Sequence, residues 1–257
     1  TTQLPKTIHL DTPFPLDLIL IPAGEFLMGS DKAKDKNARD DELPQHKVTL
    51  PDYYIAKYPV TNAQWAVYAK VLKKKFDMLG GKETHPVVNV NWNEANEFCG
   101  WLNTQNLQGL GDLEGLKVRL PTEAEWEKAA RGTDGRIYPW GNEWDAKRCN
   151  TSDGLLGFLT SWSTTPIMKY SPQGDSPYGV ADMSGNVWEW TNSKREKYPY
   201  KNDGREDGKG DRFVLRGGAG YSYAVNARCA YRYDLHRENQ WNVSGFRVVV
   251  AFPVSRS

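Results

Sequence analysis

Val214-Leu215-Arg216-Gly217-Gly218 opens the last stretch of the chain, Gly245-Phe246-Arg247-Val248-Val249 closes it, and an irregular run rich in tyrosine lies between. Upstream stands Gly185-Asn186-Val187-Trp188-Glu189-Trp190. Stiff, apolar frames around a run without periodicity describe a rigid scaffold that presents a surface. Trp188 and Trp190, two apart, share one face of a strand, with Glu189 on the other. Two large rings on one face supply the burial that short strands lack. Glu189 between them is costly unless it is paired or metal-bound. Arg216 and Arg247 flank glycines, where a planar guanidinium can bridge several backbone carbonyls. Most of these Trp, Gly and Arg positions are read as holding the fold.

The 257 residues leave room for one large or two small domains with a proper core. Lys+Arg 33 against Asp+Glu 32 gives no electrostatic footprint for nucleic acid. Ten Trp and 23 Gly argue for a loop-rich fold pinned by aromatic anchors and against a helical bundle. No apolar run approaches the ~20 residues of a membrane span; Leu16–Ile21 is short, carries Asp17, and reads as a buried strand. Cys99, Cys149 and Cys229 are odd in number and contain no Cys-x-x-Cys, which favours a reduced, cytoplasmic setting. Because the chain starts at Thr1, a longer protein and surface display through a preceding segment stay open. The four histidines have no ligand-type spacing, so no zinc site is expected.

Residues 16–28 read as a tight hairpin, Leu16–Ile21 and Glu25–Met28 turning at Pro22-Ala23-Gly24. The charged stretch Ser30–Leu43 reads as a solvated loop. Lys47–Leu50 and Tyr53–Ala56 alternate as strands. Thr61 caps a helix from about Asn62 to Leu72, and Asn91 or Asn93 starts a second with Ala95, Phe98 and Leu102 on one face. In the third, Pro121–Gly132, Thr122 and Glu125 make a capping box and Gly132 is the stop. Gly245–Ala251 reads as a strand, and the charged insertion Lys194–Asp211 as the candidate for disorder. One compact α+β domain over 16–257, behind an extension at 1–15, is the simplest organisation.

The order Ile21-Pro22-Ala23-Gly24-Glu25-Phe26-Leu27-Met28-Gly29-Ser30, Pro59-Val60-Thr61-Asn62, Pro86-Val87, Leu120-Pro121-Thr122-Glu123-Ala124-Glu125-Trp126-Glu127 and Tyr138-Pro139-Trp140-Gly141-Asn142 continues through Asp182–Trp190, Leu215-Arg216-Gly217-Gly218 and Gly245-Phe246-Arg247. This order resembles the formylglycine-generating enzyme (sulfatase-modifying factor) superfamily over roughly residues 16 to 252. The resemblance implies an α+β fold of the C-type lectin type, with short strands, few helices and much irregular structure.

Catalytic members of that family hold copper on two cysteines shortly after Arg-Gly-Gly, soft thiolates suiting Cu(I). Counted forward from Arg216-Gly217-Gly218, those positions fall on Ser222 and Ala227; counted back from Arg228-Cys229, on Ala219 and Ala224. Neither register supplies a thiol, so no catalytic residue and no copper are expected. The iron-dependent sulfoxide synthases, a second branch, use a histidine cluster on an added helical bundle. His9, His46, His85 and His236 are scattered.

The run Ala219–Ser244 contains Tyr221, Tyr223, Tyr231 and Tyr233 among Ser, Asn, Gly and Arg, residue types that serve binding surfaces. Its place resembles the mutagenised C-terminal region of diversity-generating retroelement variable proteins, here about 214–249. Randomised Asn codons there never give Trp, Glu, Gln or Lys, and in this run only Glu238, Gln240 and Trp241 lie outside the reachable set. Tyr221, Tyr223, Asn226, Tyr231, Tyr233, Asp234, Leu235, His236 and Asn239 are therefore the candidate contacts, pointing outwards, with Trp241 an anchor beneath them. A flat Tyr-rich surface favours a protein ligand. An active copper oxidoreductase and a fixed regulatory binding domain are the rivals.

The resemblance also implies a structural Ca²⁺ held by Asp182, the carbonyls of Gly185 and Val187, and Glu189, an all-oxygen set that suits the ion. A second such site would begin at Asn150 and Thr151, but residues 155–163 offer no carboxylate for it.

Overall fold

The structure is a computed structural model and describes residues 4–76, 82–105, 107, 115–153 and 163–251. Its three α-helices begin where the sequence supplies caps. Thr61, Asn91 and Thr122 each accept a backbone N–H from the following first turn, and Gln64, Glu94 and Glu125 reach back to the cap. Helices α1 (Asn62–Val71), α2 (Trp92–Leu102) and α3 (Glu123–Arg131) thus all open on full capping boxes. Gly132, at φ 73°, ends α3.

The strands are short: β1 (Thr7–Leu10), β2 (Leu16–Ile21), β3 (Gly24–Met28), β4 (His46–Leu50), β5 (Tyr53–Ala56), β6 (Lys117–Arg119), β7 (Trp188–Lys194), β8 (Arg212–Arg216), β9 (Tyr233–His236), β10 (Ser244–Gly245) and β11 (Val249–Ala251). One sheet runs β1-β2-β5-β11-β6, a second β10-β7-β8-β9, and β3 pairs with β4 alone. The C-terminal β11 sits between β5 and β6, which ties the end of the chain to its beginning.

Four expectations change. Leu16–Met28 is not a hairpin: β2 pairs with β1 and β5, and β3 with β4. The chain leaves the first sheet at Ala23, whose N–H is held by Asp52 Oδ1 at 2.6 Å, because β2 is buried on both faces and needs partners on both edges. Residues 1–15 are not simply an extension, since Thr7–Leu10 forms edge strand β1. Lys194–Asp211 is ordered by its own ion pairs, Arg205 reaching Asp203 at 2.8 and 2.7 Å. Gly245–Ala251 is split into β10 and β11. The intervening Phe246 and Val248 carbonyls accept from Val60 and Ala56 as the chain crosses between sheets.

The main core gathers the aromatic faces of α1 and α2 with β7. Trp65 stacks on Phe98 at 5.6 Å and Phe246 meets Phe98 edge-on at 5.3 Å. Trp188 and Trp190 both enter this core, as their spacing requires. A smaller core surrounds Trp126 of α3. Between them runs a layer of buried ion pairs: Arg216 with Glu127, Arg232 with Glu123 at 2.6 Å, Arg228 with Glu42 at 2.7 Å, and Arg247 with Glu189 at 2.6 Å. Burial alone raises the Glu123 carboxyl, but Arg232 and Arg216 outweigh it and hold it below the ordinary range.

Removing one member of such a pair strands a charge in a dry interior. Arg232→Met should cost about 3–5 kcal/mol in urea denaturation, and adding Glu123→Gln should recover much of it. A near-neutral single variant would mean that the pair does not hold the C-terminal segment.

Candidate recognition surface

The tyrosine run folds into two unequal parts. Its first half turns at a short 3-10 segment, Ala224–Ala227, beside the turn at Asn150–Asp153. Ser152 Oγ donates to the Tyr221 and Ser222 carbonyls, each at 2.8 Å, and Asp153 accepts the Ala224 N–H. Its second half is β9, the edge of the second sheet. Between them Arg228 and Arg232 plunge inwards.

An aromatic shelf results. Trp188 is buried beneath it, and its indole N–H donates to the Tyr221 hydroxyl at 3.2 Å. Tyr233 lies against Trp188 at 5.4 Å and stacks on Trp241 at 5.6 Å. Tyr221, Tyr233 and Trp241 are each half-buried, one side on the core and one side outwards. Trp241 therefore shares the shelf as well as anchoring it. Burial raises the Tyr221 hydroxyl above its ordinary value despite the Trp188 contact. The shelf is thus neutral, with donor and acceptor hydroxyls at its edge. Tyr223 stands furthest out, 63% exposed, its N–H held by Asn226 Oδ1. Asn226 and His236 are half-buried and Asn239 is exposed.

Three expected contacts point the other way. Tyr231 is buried: its hydroxyl accepts from Arg39 Nη1 at 2.8 Å, and Arg39 and Arg228 lie over its ring at 5.2 and 5.7 Å. Leu235 is 4% exposed and belongs to the main core, because β9 must pack one face on it. Asp234 is buried as the counter-ion of Arg195 and of Arg212 at 2.5 Å. Burial raises its carboxyl, but the two guanidinium groups prevail and hold it low. Sequence reasoning missed Arg39 and Arg195, which line the charged rim beside this segment. Both sit in charged stretches with no local mark of a partner.

Of the positions that the resemblance aligns with the copper-holding cysteines, three are buried and Ala224 is half-buried. Ser222 is buried and its Oγ accepts the Ala219 N–H at 2.9 Å; Ala219 and Ala227 are fully buried. Cys99, Cys149 and Cys229 are free and buried, Cys99 in the main core and Cys229 in the smaller one. Burial pushes each thiol up to about 12, which disfavours the thiolate.

The implied calcium ligands have protein partners in this structure. Glu189 is spent: Arg247 donates to both its oxygens, at 2.6 and 2.7 Å, and the Trp126 indole donates at 2.8 Å. The Gly185 carbonyl accepts the Val187 N–H at 2.9 Å. Asp182 lies near enough to Glu189 for their charges to interact, and Arg247 Nη2 donates to the backbone carbonyl of the one and the carboxylate of the other. The Asp182 carboxylate accepts the Met168 N–H at 2.8 Å, and burial pushes it up to about 6. Asn150 is held by Asn186 and Ser163, and residues 155–162, where a second site would continue, lie outside the described residues.

The sulfatase-modifying factor enzyme 1-like domain family matches residues 12–252. The chain belongs to that family. It is 30% identical to the formylglycine-generating enzyme of Streptomyces coelicolor, covering 89% of this chain and 87% of that one. It is 33% identical to the serine/threonine-protein kinase pkn1 of Chlamydia pneumoniae over 91% of its own length, yet spans only 38% of that protein. Among solved structures it is similar to PvdO from Pseudomonas aeruginosa (TM-score 0.75, 24% identity, 97% and 99% of the two chains). It is also similar to Treponema denticola variable protein 1 (TM-score 0.73, 21% identity, 96% and 99%). The α+β, lectin-type architecture expected from the motifs is the architecture found.

Tyr223→Ala should leave the unfolding free energy within about 0.5 kcal/mol of the parent. Tyr231→Ala should cost about 3 kcal/mol or more. Similar costs for the two in urea denaturation would contradict this division of outer and inner rings. Thermal unfolding in excess EGTA and in millimolar Ca²⁺ should coincide; a clear rise with Ca²⁺ would show that the ion displaces Arg247 from Glu189.

Proposed function

We propose that this domain is a non-catalytic recognition module that binds a protein ligand on the Tyr221–Tyr233–Trp241 shelf and the flanking Tyr223, Asn226, His236 and Asn239. One observation carries the reading: the family scaffold is kept, while the positions where catalytic relatives hold copper bear Ser222 and Ala227, or Ala219 and Ala224. A redox cycle through a thiolate pair has nothing to run on there. What the same segment offers outwards is rigid aromatic area edged by hydroxyl and amide groups, suited to a protein surface.

Diversification of this segment fits the reading within limits. Arg228, Arg232, Asp234 and Leu235 are reachable by Asn-codon randomisation but are committed to buried pairs or core. Variation is then confined to the outward positions. A fixed binding domain within a longer protein is the second reading, favoured by the chain spanning only 38% of the Chlamydia relative.

Copper-loaded protein incubated with a sulfatase-derived Cys peptide should leave the peptide unchanged by mass spectrometry. Conversion of its thiol to an aldehyde would end the non-catalytic reading. Sequencing the neighbouring DNA separates the two binding readings: a reverse transcriptase gene and a near-copy of the segment encoding residues 214–249 accompany a variable protein, and a fixed domain lacks both.

A further inference from the structure

A second concavity, of about 530 Å³, lies between β4, the start of α3, β11 and the segment around Tyr200–Glu206. Its walls are unlike in character. Leu50, Pro51 and Ala251 make one side apolar, while Arg119, Arg205 and Glu206 line the other.

Charge balance around it leaves one group over. Each buried glutamate among the described residues has an arginine: Glu42 has Arg228, Glu123 has Arg232, Glu125 has Arg119, Glu127 has Arg131 and Arg216, and Glu189 has Arg247. Glu206, half-buried as a residue but with Oε2 enclosed, makes no ion pair. Its Oε1 accepts only hydroxyl protons, from Ser193 at 2.6 Å and from Tyr200, and its Oε2 is buried without a hydrogen-bond partner. Three of the four cations that line the cleft are paired elsewhere, and the fourth, Lys201, is exposed. Arg119 forks onto Glu125 at 2.7 Å, Arg205 onto Asp203 at 2.8 and 2.7 Å, and Lys47 onto Glu25 at 2.8 Å. Burial pushes Glu206 up to about 7, Glu125 and Glu123 adding to it against the two hydroxyls. An uncompensated carboxylate in such a place calls for a positive charge.

We propose that this cleft binds a small primary amine with a short apolar body, whose ammonium supplies the cation that Glu206 lacks. The hydroxyls of Ser193 and Tyr200 occupy Oε1, so the ammonium approaches Oε2. The carboxylate turns as one unit about its broad terminal torsion, and the two rotatable hydroxyls follow Oε1 as Oε2 swings towards the cleft. The apolar body then lies along Leu50, Pro51 and Ala251. The site is independent of the aromatic shelf and stands or falls separately from it.

The test uses the whole chain, with butylamine and phenethylamine as probes and 1-butanol as the uncharged control, followed by ligand-observed NMR. Saturable binding of the amines and not of butanol is expected, strengthening as pH rises through about 7 and Glu206 ionises. Glu206→Gln keeps the shape and an oxygen for Ser193 and Tyr200, and should weaken binding by roughly tenfold or more. Thr49→Trp, on an exposed position of the cleft wall, should weaken it without touching Glu206. No amine binding, equal binding of butanol, or amine binding unchanged in both variants overturns the proposal.

Discussion

The arrangement rests on guanidinium groups carried inside. Arg216, Arg228, Arg232 and Arg247 are all within the last fifty residues and all buried. Each reaches a carboxylate far away in sequence: Arg228 meets Glu42 across 186 residues and Arg232 meets Glu123 across 109. Moving these charges out of water is costly, and a well-packed apolar set of the same volume could be as stable. What an apolar set could not do is satisfy irregular backbone. Arg216 donates to the Ala230 and Tyr231 carbonyls, and Arg247 to those of Ala56 and Ala181. A planar fork with five donors ties down carbonyls that no neighbouring strand reaches.

That requirement decides what the tyrosine segment can present. Arg228 and Arg232 are four apart, and each anchors the chain inwards, so the stretch between is held at both ends and Tyr231 is drawn in under Arg39. The exposed ring of Tyr223 and the half-buried ring of Tyr221 come before the first anchor; Tyr233, on the same face of β9 as Leu235, is half-buried against Trp188. Glycines fix the approach. A Cβ at Gly217, at φ 95°, would crowd Trp126 at 3.1 Å, and one at Gly185 would meet the Asn150 carbonyl at 2.2 Å. The shelf is displayed by a frame that leaves little freedom in where it points.

Much of this was legible in the residues. Three capping boxes mark the helix starts because the signal is local: a cap, three residues, a reciprocal partner. The Trp188–Trp190 alternation gave the buried face of β7, and Glu189 between them was read as paired or metal-bound; Arg247 is the partner. The motif order carried the family and fold. What failed was everything that depends on a distant partner. The stretch 30–43 reads as solvated from its charge, yet Asp35 and Glu42 are buried because Arg228 arrives from the far end of the chain. Leu16–Met28 looks like a hairpin because adjacency is the default, and only β5 and β11 reveal why β2 and β3 part. Period alone did not show β9, where Tyr233 and Leu235 face the core and Asp234, on the other face, is buried by Arg195 and Arg212.

Helix α3 separates the two concerns of the molecule, and its glutamates show how. Glu123 and Glu127 are one turn apart, on the same side, and take Arg232 and Arg216 from the recognition segment. Glu125, half a turn round, faces Arg119 and the cleft instead. The side that serves the shelf is neutralised carboxylate by carboxylate. The side that faces the cleft is neutralised only as far as Glu125, and Glu206 beyond it is met by hydroxyls alone. One helix thus carries a closed ionic layer on one flank and borders an open charge on the other. A structural role explains the first; the second is where the proposed ammonium would add the missing charge.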